Sequence, residues 1–240
     1  MPGPAAFRTT HWSVVIMAGQ GDPENRKKHL NDLIQAYWRP IFRTIRFAWG
    51  KRRHEAEDLT QGFFTYLLEK ALIEEADPER GRFRTYLRAV LRRYLADTEK
   101  FQRRIKRGGG APTFKFDFSL VPEDRSNLRS RGQTPEEVFE REWAACVVES
   151  AIGQVREHLD RVGKQTYFEI FQAYDMDPGE KPPGYREIAA RFKVSESDVL
   201  HYLHYVRSRL RERLRALVRE TVQSDSEVEE EIDHVINQIR

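Results

Sequence analysis

The chain has 240 residues, of which 39% are hydrophobic, 11% aromatic and 33% charged, and its formal net charge is +3. Enough apolar and aromatic side chains are present to build a core, which excludes a wholly disordered chain, and the length suits one ordinary domain or two small ones. The single cysteine, Cys146, excludes an internal disulfide framework or a cysteine-based zinc site, and its place in an apolar run reads as a small buried hydrophobe.

No apolar run approaches membrane-spanning length and no signal-peptide core opens the chain, so a soluble, cytoplasmic protein without membrane insertion is expected. The modest net charge averages two opposed blocks. Residues 80–107 hold eleven Lys or Arg against Asp97 and Glu99, whereas residues 220–240 hold seven acids against Arg240. Such segregation predicts a basic working surface and an acidic tail.

Helical periodicity dominates the chain, which predicts an all-α protein. In the first half, helices are expected near 25–49, 55–70 and 83–104. Residues 108–134 then break the pattern with Gly108, Gly109, Gly110, Pro112 and Pro122, as a linker does. The "FKFDFSL" run within it alternates like a strand but is short and isolated, so it reads as extended linker. The glycine triplet lacks a Gly-Lys-Ser/Thr ending and a preceding strand, so it is not a phosphate cradle. Thr134-Pro135-Glu136-Glu137 opens the second half with a capping threonine, a proline at the first helical position and a glutamate at the third. Helices are expected over 135–159, 165–174, 185–192 and 196–217. A short amphipathic tail helix follows, marked by Val228, Ile232, Val235 and Ile239. The resulting division is 1–107, a linker 108–134, 135–223 and a tail 224–240.

"YREIAARFKVSESDVLHYLHYVRSRLRERL" has the grammar of a helix-turn-helix. Ile188, Ala189 and Phe192 give the first helix a buried stripe, and Val194 plugs the turn. Ser195 caps the second helix with Asp198 three residues on, and Val199, Leu203, Val206 and Leu210 form its core stripe. In this motif the second helix enters the major groove with its N-terminal side chains at base edges. The DNA-facing candidates are Ser195, Ser197, Leu200, His201, His204 and Tyr205, with Ser208 beyond them. Arg207 and Arg209 begin a run of arginines suited to phosphates. His201 and His204 lie three apart, but no third ligand is in view, so no metal is expected.

The basic helix at 83–104 sorts into faces at about 100° per residue. Leu87, Val90, Leu91, Tyr94 and Phe101 form its core side. Tyr86, Arg93, Lys100 and Arg104 line one flank, and Arg84, Arg88, Arg92 and Arg103 the other. With few acids nearby to pair them, these rows suit a DNA backbone and a stacked base. The turn before the helix presents Arg80, Arg82 and Phe83. The helix at 55–70, "EAEDLTQGFFTYLLEK", separates differently. Ala56, Leu59, Phe63 and Leu67 share a core arc, and Glu57, Asp58, Gln61 and Thr65 lie opposite. Phe64 and Leu68 fall beside the acids, so this face reads as a protein-docking surface with two apolar anchors.

Together these pieces resemble the sigma-70 family of bacterial transcription initiation factors, in its small extracytoplasmic-function (ECF) group. "AEDLTQGFFTYLLEK" is similar to the family's helix that docks on the clamp helices of RNA polymerase. "DPERGRFRTYLRAVLRRYL" is similar to the segment that captures and melts the −10 element, and the helix-turn-helix to the domain that binds the −35 element. "TTHWSVV", "YWRPIF" and "TPEEVFEREW" look like a subgroup with an extended N-terminus and tail. The resemblance implies two small helical domains, sigma region 2-like and region 4-like, joined by an irregular linker. It carries polymerase docking to Glu57, Asp58 and Gln61, and places Phe83 and Tyr86 near a captured base. The chain departs from the family at Arg93, where asparagine is usual, and at Leu200, Tyr202 and Tyr205, where the family has basic residues nearby.

The expectation is therefore a non-enzymatic initiation factor without a cofactor, whose partners are core RNA polymerase and promoter DNA. An anti-sigma factor or regulatory kinase is left open as a further partner. The alternative is a helix-turn-helix regulator that binds DNA without acting as a sigma factor. The charge contrast between residues 207–219 and 225–233 predicts that the acidic tail covers the arginine-rich end of the second helix of the motif.

Overall fold

A computed structural model describes residues 12–20, 22–102, 116–118, 121, 133–177, 182–222 and 224–239, with the side chains of 99–102 left aside. The described residues are helical and contain no strand: α1 (Trp12–Gln20), α2 (Pro23–Phe47), α3 (Arg53–Glu69), α4 (Phe83–Gln102), α5 (Pro135–Arg161), α6 (Gln165–Phe171), α7 (Tyr185–Phe192), α8 (Glu196–Arg219) and α9 (Val228–Ile239). The fold is all-α. The expectations for Arg103, Arg104, the Lys100 and Phe101 side chains and most of the 108–134 segment lie outside the described residues.

Local chemistry sets the helix starts. At α2, Asp22 accepts from the Asn25 backbone N–H (3.2 Å). At α3, the Arg52 N–H donates to the Glu55 carboxylate (2.9 Å). At α5, Thr134 and Glu137 exchange both bonds of a capping box (2.8 and 3.2 Å). Pro40 sits inside α2, where it removes one ladder N–H, and its carbonyl accepts from the Thr44 hydroxyl (2.6 Å). Gly62 of α3 is where α4 comes close. A Cβ there would lie 2.4 Å from the Tyr94 hydroxyl oxygen.

The chain divides into two compact units, and the divisions fall inside α5 and α8. One unit takes the described residues up to Val147 together with those from Val218 onward. The start of α5 and the tail helix thus cluster with α1–α4, whereas the sequence division puts 135–147 with the helix-turn-helix and sets 224–240 apart as a tail. Its core is built from Ile41, Phe42 and Ile45 of α2, Ala56 and Phe63 of α3, Leu87, Leu91 and Leu95 of α4, and Phe139, Trp143 and Val147 of α5. Val228, Ile232 and Val235 of α9 are buried as well. Phe116 stacks on Trp38 (5.5 Å), Phe118 packs on Phe42 (5.0 Å), and Arg53 donates to the Phe118 carbonyl. Residues 116–118 are therefore anchored on α2 and α3.

The other unit, Val148–Leu217, has its own core of Val155, Leu159, Phe168, Ile170, Phe171, Ile188, Val199, Leu203 and Val206. Val194 of the turn packs against this core, as the motif requires. After α6, a five-residue π-turn, Gln172–Met176, carries the chain toward α7.

Candidate nucleic-acid and partner interfaces

The helix-turn-helix is assembled by reciprocal capping. Ser195 Oγ accepts from the Asp198 N–H (3.0 Å), and the Ser195 N–H donates to Asp198 Oδ2 (3.1 Å). The hydroxyl and backbone N–H of Ser195 hold the Asp198 carboxyl below its ordinary pKa. The turn itself runs through Lys193 at φ 56°, a left-handed position that caps α7 with its N–H on the Ala189 carbonyl. Ser197, His201 and His204 are exposed on the first turns of α8, and Leu200 is 49% exposed.

Tyr205 is different, for it is half-buried and edge-on to Tyr167 of α6 (5.6 Å), with the Lys164 ammonium 4.4 Å from its ring. Tyr167 also stacks on Tyr202 at 3.8 Å. Tyr205 is thus part of an aromatic wall and not a freely reaching side chain. Arg207 is held by both oxygens of Asp175 in the π-turn (2.9 and 2.7 Å), and this bonding raises its pKa further. Arg209 pairs with Glu212 (2.8 Å). Both arginines remain about half exposed, so they can meet a phosphate by exchanging a solvated carboxylate for it.

On α3 the expected docking face is partly corrected. Asp58 is exposed, Gln61 is half-buried, and Glu57 is ion-paired with Arg53 (3.0 Å). Phe64, however, is only 3% exposed and packs on Phe63 (5.5 Å) and Phe116 (5.6 Å). Thr65 is buried too, and Leu68 is half-buried against an apolar crevice lined by Leu30, Leu33 and Ile34. The helical wheel assumed a single covered side. Here α2, α4 and residues 116–118 cover a broader arc, which takes in Phe64 and Thr65. What remains outward is mainly polar: Asp58, Gln61 and the edge of Glu57, with Leu68 keeping an apolar edge.

The basic helix is corrected more deeply. Phe83 is 5% exposed, edge-on to Trp12 (5.8 Å) and Tyr37 (5.6 Å), so it is a core residue and not a presented base-stacking ring. Tyr86 is half-buried and its hydroxyl donates to the Leu72 carbonyl (2.6 Å); burial, followed by the charge of Glu75, pushes its pKa up. The arginines do find acids. Arg84 is 3% exposed, lies 4.1 Å from the Trp143 ring centroid, and pairs with Glu140 (2.9 Å) and Glu231. Its burial works against the charge, but the Glu140 and Glu231 carboxylates outweigh it and raise the pKa. Arg82 is ion-paired to the other oxygen of Glu231, Arg88 to Glu140 (3.0 Å), and Arg92 to Glu136 (3.5 Å). The partners are distant in sequence, on α5 and α9, which is why a count of neighbouring acids missed them. Arg80, paired at 3.4 Å with Asp77, and Arg93 stay largely exposed.

The tail helix also departs from expectation. Asp225, just before α9, pairs with Arg219 (3.0 Å) at the end of α8, but the fully buried Glu231 turns to Arg82 and Arg84 of the α4 region. His234 lies 3.3 Å from Glu140. One signal in the sequence could have located Glu231: it falls among Val228, Ile232 and Val235 on the apolar side of α9, where an acid needs a cationic partner.

Among the described residues no cluster of His, Cys, Asp or Glu is arranged to hold a metal ion, and no helix is long and apolar enough to cross a membrane. None of the family models, curated proteins or solved structures compared with this chain matches it.

Proposed function

We propose that this chain is a transcription initiation factor of the sigma-70 type, in the manner of the ECF group, with a region 2-like and a region 4-like unit. It docks on core RNA polymerase through α3 and places α8 on promoter DNA. The observation that supports this reading is an outward polar face on α3, with Asp58 exposed and Gln61 beside it, in the same chain as a capped helix-turn-helix. Neither feature alone distinguishes an initiation factor from other DNA binders. Their order along the chain, with the basic helix α4 between them, is what the family likeness rests on.

In this reading, the first turns of α8 meet bases through Ser197, Leu200, His201 and His204. Side chains of this kind suit thymine methyl groups and single hydrogen bonds better than the bidentate contacts arginine makes to guanine. Arg207 and Arg209 supply phosphate contacts. On the other unit, Arg80, Arg93 and the half-exposed Arg82 and Arg88 form the remaining basic surface. Docking on polymerase is polar and steered by charge, because Phe64 is in the core and only Leu68 keeps an apolar edge.

Co-purification with purified core polymerase, with and without DNA, tests the reading, as does run-off transcription from genomic fragments. Asp58→Arg combined with Gln61→Ala is expected to abolish polymerase binding while the helical circular-dichroism signal is unchanged. Normal polymerase binding by that variant would remove α3 as the docking face. A second reading, a helix-turn-helix regulator that does not use polymerase, is favoured by two observations: Phe83 is buried, and Arg84, Arg88 and Arg92 of α4 are paired with acids. It predicts sequence-selective DNA binding by the chain and no association with core.

A further inference from the structure

We propose that α9 is a strap that holds the arginine site of α4 closed against DNA. The inference rests on the function proposed above, with the basic surface at the start of α4 meeting DNA, and it adds how that surface is regulated. Arg82, Arg84 and Arg88 converge on two carboxylates, Glu140 of α5 and Glu231 of α9. Glu231 is fully buried; Arg84 donates a hydrogen bond to one of its oxygens and Arg82 is ion-paired with the other. A phosphate makes the same demand on a pair of arginines, so the α9 carboxylate occupies the place that a DNA backbone oxygen would take.

The composition of α9 supports a role as an anionic mimic. Val228–Ile239 carries Glu229, Glu230, Glu231 and Asp233 and has no lysine or arginine. Its apolar attachment is a narrow stripe, with Val228, Ile232 and Val235 buried. Apolar side chains in place of the whole Arg84–Glu231 pair would hold a purely structural helix at least as well, since burying an ion pair is seldom the more stabilising choice. The carboxylate instead ties α9 to the arginines. With Glu231 present, three arginines face two carboxylates; with α9 released they face Glu140 alone. Release therefore adds positive charge to the site and uncovers Arg82 and Arg84.

The test compares the full chain, the chain lacking residues 224–240, and full-length Glu231→Gln, using a short fluorescent DNA duplex across a salt series. Opening the site adds one or two phosphate contacts, so both variants should bind DNA about tenfold more tightly at low salt, with a log–log salt slope steeper by about 1–2. Adding Arg82→Ala to the truncated chain should cancel most of the gain. Folded variants whose affinity and slope equal those of the full chain would overturn the strap. If truncation costs the helical signal, Glu231→Gln decides alone by the same two readouts. Core polymerase binding is measured on the same proteins. A chain that never binds polymerase defeats the initiation reading while leaving the strap test intact, and unchanged DNA affinity defeats the strap while leaving polymerase docking intact.

Discussion

Arg84 shows how one residue changes meaning between sequence and structure. On a helical wheel it belongs to a row of arginines with nothing to pair them, and the row reads as a DNA surface. In the fold it is buried over Trp143 between Glu140 and Glu231. Replacing it leaves two carboxylates short of their partner in a low-dielectric site. Arg84→Ala is expected to destabilise the unit by about 3–5 kcal/mol, measured by urea denaturation, because a buried pair broken on one side costs more than the intact pair contributes. Phe64 and Phe83 carry the same lesson in reverse. Both looked presentable from local pattern, and both are core because α1, α2 and residues 116–118 cover them.

At the scale of single elements the sequence is far more legible. The starts of α5, α7 and α8 fall where Thr134, Gly184 and Ser195 place them, since a cap is a contact between residues three apart and needs no tertiary context. Ends are less certain from pattern. The expected 165–174 helix stops being α-helical at Phe171 and continues as the π-turn that carries Asp175 to Arg207. Helix α1 leaves little local signal, being nine residues long with no acid in its first turn. The helix-turn-helix turn adds a prediction of its own. Lys193 occupies a left-handed conformation, which costs a side-chain-bearing residue about 1 kcal/mol relative to glycine. Lys193→Gly is therefore expected to stabilise the motif by about 0.5–1 kcal/mol, read as a raised denaturation midpoint with an unchanged slope.

For the whole molecule, charge placement links stability to pH. Asp22, Glu55 and Asp198 each have a pKa lowered by hydrogen bonds: to the Asn25 side chain and N–H, to the Arg52 N–H, and to the Ser195 hydroxyl and N–H. A carboxylate with a lowered folded pKa favours the folded state at every pH above its unfolded value, about 3.9 for Asp and 4.3 for Glu. That contribution is lost as pH falls through the depressed value. Helix content should therefore hold from neutral pH to about 5 and decline below about 4. The triple variant Asp22→Asn, Glu55→Gln, Asp198→Asn should start less stable at neutral pH and show a shallower acid transition, followed by circular dichroism against pH. An equal acid dependence in both proteins would mean that the caps do not set it.

The sequence by itself determined that this chain is helical, where most helices begin, and which residues form the helix-turn-helix. Those features rest on helical periodicity and on contacts within a few residues, and local chemistry settles them. Only the tertiary structure decided which polar and aromatic faces stay open. Docking α2, α4 and residues 116–118 around α3 buried Phe64, and packing α1 and α2 on the start of α4 buried Phe83. Bringing α5 and α9 to α4 gave its arginines the carboxylates Glu140 and Glu231, which stand 56 and 147 residues from Arg84 along the chain. Partners at that separation leave no trace in a local pattern, because side-chain pairing in a fold depends on proximity in space and not on spacing in sequence.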